Sequence, residues 1–136
     1  MSIIAEIIRT EENGSISFGN YEAREKQKVS DFDVSGDIYK IKTHNEVTRL
    51  EKNAKLLLET VPGATVQEFT LDEKRARFFL TGFDSTQVTM ELLPESDYRI
   101  LVDGVDIGHT KSGKSGKLSF SVELNENPQK IKIEKV

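Results

Sequence analysis

Four residues, Gly108, Gly113, Lys114 and Ser115, occupy the fixed positions of G-x-x-x-x-G-K-[ST], the loop that cradles phosphates in nucleotide-binding proteins. That loop works because a strand delivers a run of backbone amides and the following helix aims its positive N-terminus at the phosphates. Here the following segment alternates: Leu118, Phe120, Val122 and Leu124 are apolar, and Lys117, Ser119, Ser121 and Glu123 are polar. Alternation of period two is the mark of a half-buried strand. The expectation is therefore a solvated hairpin loop, with no cofactor.

A second pattern, Asp31-Phe32-Asp33-Val34-Ser35-Gly36, opens like a calcium loop, with Ile38 in the apolar slot. The twelfth position should be a bidentate Glu, but it is Lys42, which would set a positive charge where the strongest ligand belongs. A β-turn whose acids solvate a strand end is expected instead. The two histidines, His44 and His109, lie in opposite halves with no second His or Cys at ligand spacing, so no metal site is expected. Glycoside hydrolysis needs two carboxylates across one bond. Among twenty-three acids some pair always exists, so no catalytic residue is assigned.

The remaining candidate is a stripe. Arg75, Arg77 and Phe79 alternate with Ala76, Phe78 and Leu80. If the second set faces a core, the first is an exposed Arg-Arg-Phe row, able to hold an anionic sugar or another chain by charge and stacking. In the alternative, Phe79 is covered by the first half of the chain and the arginines pair with nearby acids. These three residues are the candidate ligand-binding set.

Composition bounds the rest. The 136 residues are 36% hydrophobic and 31% charged, with a formal net charge of -4 and no cysteine. That suffices for a real core, excludes disulfide and thiolate chemistry, and argues against nucleic acid, whose partners are normally basic. The start, MSIIAEIIRTEENG, has no basic region and carries Glu6 in its apolar run, so it does not read as a signal peptide. No apolar run reaches membrane-span length. The default expectation is a cytoplasmic protein without a membrane partner, signal-less export remaining open.

The elements that must position these residues read as strands. Residues 2–9 and 15–18 form a hairpin around Glu11-Glu12-Asn13-Gly14, and residues 28–34 and 37–43 form another around Ser35-Gly36. Residues 46–61 fit an amphipathic helix or two strands turning at Asn53-Ala54. Val61-Pro62-Gly63 is the strongest break. After it six strands are expected, over residues 64–71, 75–82, 87–93, 96–103, 117–124 and 129–136, with Asp103-Gly104 as a turn and a Gly, Ser and Lys loop leading to residue 117. The fold class is all-β: an N-terminal antiparallel β module, residues 1–61, followed by an Ig-like β-sandwich, residues 62–136. Ile3, Ile4, Ile7 and Ile8 make the first strand apolar on both faces, so it should be covered by the second module or by another subunit. Homo-oligomerisation is expected on that ground.

SFGNYE, DFDVSGDIYKIKTHNEVTRLEKN, ETVPGATVQEF and YRILVDGVDIGHTKSGKSGKLSFSVEL resemble, over nearly the whole chain, a family of short proteins of anaerobic spore-forming bacteria commonly labelled endosialidases. The resemblance favours a hairpin over residues 46–61, because relatives place Asn-Gly where this chain has Asn53-Ala54. The second half is also similar to accessory β-sandwich domains of polysaccharide-degrading enzymes, in which another domain carries the chemistry. These resemblances imply a non-enzymatic β protein that binds or assembles, with a glycan as partner. The alternative is a small glycan-active hydrolase, endosialidase-like, which would need a pocket with facing, perturbed carboxylates.

Overall fold

The computed structural model describes residues 6–136, which form thirteen strands in two antiparallel sheets. The strands are β1 (Ile8–Thr10), β2 (Ile16–Phe18), β3 (Gln27–Val34), β4 (Asp37–Thr43), β5 (Thr48–Lys52), β6 (Lys55–Val61) and β7 (Thr65–Leu71). They continue as β8 (Arg75–Thr81), β9 (Thr86–Glu91), β10 (Asp97–Val102), β11 (Val105–Lys111), β12 (Lys117–Val122) and β13 (Gln129–Lys135). One sheet has the order β1-β2-β7-β8-β13-β10-β11 and the other β12-β9-β6-β5-β4-β3. The all-β class expected from alternation is the class found.

Alternation places the core between the sheets. In β8 the burial runs exposed-buried from Arg75 to Leu80, so Ala76, Phe78 and Leu80 point inward. Phe18, Val66, Phe78, Leu80, Ile131 and Ile133 from one sheet meet Ile41, Leu50, Leu58, Val88 and Met90 from the other in a single buried cluster. Full burial of such side chains stabilises by about 1.5–3 kcal/mol each relative to exposure, so this cluster dominates the hydrophobic term.

The expected modules, 1–61 and 62–136, do not form separate sheets. β2 pairs with β7 and β6 with β9, so each sheet takes strands from both sides of Pro62. The break at Val61-Pro62-Gly63 is one of six places where the chain crosses from one sheet to the other. Its packing is tight: a Cβ on Gly63 would lie 2.1 Å from the His44 carbonyl oxygen. Buried hydroxyls tie this end together. Thr48 Oγ1 donates to the Ala64 carbonyl (2.7 Å), and Thr86 Oγ1 to the Pro62 carbonyl (2.6 Å). These bonds satisfy polar groups that a crossing would otherwise bury unpaired.

Residues 46–61 are the hairpin β5–β6. Asn53 (φ 51°) and Ala54 (φ 68°) both have left-handed backbone, as a two-residue type I′ turn requires. The absence of the usual glycine did not change the turn type. The Asn53 side chain supplies compensation by bonding the β3–β4 hairpin: Ile38 N–H donates to its Oδ1 (2.9 Å), and its Nδ2 donates to Asp37 (3.0 Å).

One element differs from the sequence expectation. The stretch expected as a Gly, Ser and Lys loop begins with a strand, β11, turned from β10 at Asp103 (φ 51°) and Gly104 (φ 82°). β11 is solvent-exposed on nearly every residue, so no alternation betrays it. Ladder pairing to β10 holds it. Of the first strand, Ile3 and Ile4 lie outside the described residues, and Ile7 and Ile8 are buried in the common core.

Candidate functional site

The phosphate-loop match is consumed by the sheet. Gly108 and Lys111 lie in β11, and Ser112 is buried with its Oγ donating to the Leu93 carbonyl (2.6 Å). Ser112 N–H donates to Ser96 O, and Gly113 N–H to Lys117 O. Two of the loop amides are thus bonded to backbone carbonyls, and the loop leads into strand β12 where a phosphate loop would lead into a helix. The calcium-like pattern is the β3–β4 hairpin: Asp33 Oδ1 accepts the Gly36 N–H (3.0 Å) across a turn with Ser35 and Gly36 left-handed. Lys42 stands among cations, and its pKa is lowered, foremost by Lys26. Among the described residues no three His, Cys, Asp or Glu side chains cluster as a metal site would. His44 sits in the turn after β4, and His109 is exposed on β11.

Arg75, Arg77 and Phe79 share the outward face of β8, the arginines exposed and Phe79 half-buried. The register extends this stripe into a face. One row runs Arg75, Glu134, Arg99, His109 across β8, β13, β10 and β11. The next runs Thr70, Arg77, Lys132, Leu101, Asp106. The third sets Gln67 and Lys130 on either side of Phe79. Directly opposed side chains lie about 5 Å apart, and four neighbouring strands span about 14 Å. Sequence reading found the β8 members alone. Arg99, Lys130 and Lys132 belong to the face through pairings that sequence distance hides.

The electrostatics of this face oppose the protein's overall charge. Five cations, Arg75, Arg77, Arg99, Lys130 and Lys132, share these rows with two carboxylates, Glu134 and Asp106, and Glu68 lies beside Arg77 and Lys130, in a chain of net charge -4. The ion pairs among the described residues involve Arg9, Arg49 and Lys52, and none involves these five. At the hairpin margin Asp103 accepts the Lys130 N–H and Asp106 the Gly108 N–H, both at 2.8 Å, and both carboxylates keep their negative charge. Two depressions adjoin Lys130. One, of about 200 Å³, is lined by Asn13, Glu68, Thr70, Arg77 and Phe79 with Lys130. The other, of about 380 Å³, is lined by Leu101, Asp103, Gly104, Lys130 and Lys132.

A different concavity, about 340 Å³, opens at the end of the sandwich beside the β7–β8 turn. Asp72, Glu73 and Glu91 line it, together with Lys52, Arg75, Leu92 and Tyr98. Asp72 accepts the N–H groups of Lys74 (2.8 Å) and Arg75 (3.0 Å), and these bonds, with the charges of Arg75 and Arg77, hold its pKa below the usual carboxylate value. A general acid needs the opposite displacement.

No helix among the described residues is long and apolar enough to cross a membrane. Compared with protein-family models, with curated proteins and with solved structures, the chain matches none of them.

Proposed function

We propose that this is a binding protein for an acidic glycan, a chain of carboxylate-bearing sugars held on the outer face of the seven-stranded sheet. The observation that carries the reading is the set of five cations on β8, β13 and β10 that make no ion pair among the described residues. Arginine forks match carboxylates bidentately, and lysines add point charge. Phe79 and Leu101, both half-exposed between the cations, offer apolar surface to the C–H faces of sugar rings. A nucleic-acid partner fits less well, since single-stranded chains need successive aromatic platforms and Phe79 is the one aromatic of these three rows.

A second reading, a small glycan-active hydrolase, draws support from the three carboxylates in the concavity beside the β7–β8 turn. Incubation with a panel of neutral and acidic polysaccharides, including polysialic acid, separates the readings when both binding and chain length are followed. Retention of acidic members uncleaved supports the first. Shortened chains, lost in Glu91→Gln, support the second. Retention of neutral and acidic members alike contradicts the charge argument.

A further inference from the structure

Two open sheets leave four edges, and unpaired edges are either guarded or find partners. Three are guarded here. β1 is three residues long, and β3 and β11 carry register breaks that spoil a flat template. The fourth, β12, pairs with β9 through six residues without a break.

Its hydrogen-bond phase can be read from its ends. Leu92 N–H donates to Gly116 O (2.8 Å), so Gly116 and the even residues after it bond toward β9. In an antiparallel ladder the alternate residues then turn both N–H and C=O to the open side. Two of their carbonyls are occupied. Gly113 N–H donates to Lys117 O (3.0 Å), and Gln129 Nε2 donates to Glu123 O (2.7 Å). Between them, Ser119 and Ser121 present open backbone groups and exposed side chains.

We infer that β12 is a homodimerisation edge, pairing antiparallel with β12 of a second copy about a two-fold axis at Phe120. The segment from Lys117 to Glu123 is self-complementary in that register. Ser119 faces Ser121 of the other copy, and their open N–H and C=O groups form four backbone hydrogen bonds. Lys117 faces Glu123 twice, giving two opposite-charge pairs, while Leu118 faces Val122. Phe120, packed on the core but partly exposed, meets its own counterpart. Every pair falls on one side of the sheet, as the pleat demands. A different edge-binding strand would have no reason to match this symmetric order of charge and size, so the occupant is a second copy. The inference is independent of the glycan reading, since it uses the other sheet.

The test is sedimentation velocity over a concentration series up to about 1 mM, enough to populate a weak dimer. The intact chain is expected to dimerise. Lys117→Glu converts both attractive pairs to repulsive ones and should raise the dissociation constant about tenfold. Adding Glu123→Lys restores the pairs and should bring it back. Ser119→Pro removes an outward N–H without touching the β9 ladder and should give folded monomer by circular dichroism. An intact chain that stays monomeric throughout, or a dimer indifferent to all three variants, overturns the inference.

Discussion

Ala54 holds a left-handed position of the β5–β6 turn without a glycine's freedom, and replacing it with glycine tests that turn directly. At φ 68° an L-residue with a Cβ is in the left-handed region, a conformation that costs roughly 1–2 kcal/mol per residue. Glycine removes that cost but adds about 0.4–1 kcal/mol of unfolded-state entropy to be lost on folding. Ala54 is exposed, so no buried contact is lost with the methyl. The net expectation is stabilisation of about 0.5–1 kcal/mol. With an unfolding entropy near 0.3 kcal/mol per kelvin for 136 residues, Tm should rise by about 2–3 °C. Ala54→Val, β-branched and worse in this region, should lower it. Scanning calorimetry on the three proteins decides. An unchanged or lowered Tm in Ala54→Gly, or a neutral Ala54→Val, would refute the type I′ assignment.

Three further outcomes follow from other parts of the molecule. Gly63→Ala should destabilise by about 3 kcal/mol in urea unfolding, because its Cβ would meet the His44 carbonyl oxygen, a backbone atom that cannot swing aside. ATP should leave Tm unmoved in both the intact protein and Lys114→Ala, since the loop leads into strand β12 and no helix N-terminus faces it. The Glu11 pKa is lowered, chiefly by the Ser17 hydroxyl that donates to it and then by Arg9. A depressed folded-state pKa gives stability that is present above the ordinary value of 4.5 and lost as pH falls through the lowered one. Urea titrations from pH 7 downward should show that loss, and Glu11→Gln should flatten it.

Six of the seven strands after Pro62 are legible because their wet and buried residues alternate, as in Arg75 to Leu80. The same rule hid β11, whose residues are wet on both faces and which is held by pairing to β10 alone. The division at residue 61 failed to mark separate sheets because Pro62 and Gly63 stop a strand locally but say nothing about which strand pairs next. β2–β7 and β6–β9 are long-range choices made by the shared core. Of the candidate face, the β8 stripe could be read from alternation. Lys130 and Lys132 carry the same signal in QKIKIEK, with Ile131 and Ile133 inward, but only the register shows that they stand beside Phe79 and Arg77.

The central claim is that the outer face of the seven-stranded sheet holds an anionic glycan. The direct measurement is a titration of the isotopically labelled protein with polysialic acid, followed by amide chemical shifts. Saturable shifts concentrated on β8, β13 and β10 are expected, weakened by salt and reduced at least about tenfold in affinity by Arg77→Glu, which replaces a charge-assisted contact by a repulsion. Shifts centred on the six-stranded sheet, or an affinity unchanged in Arg77→Glu, would contradict the central claim.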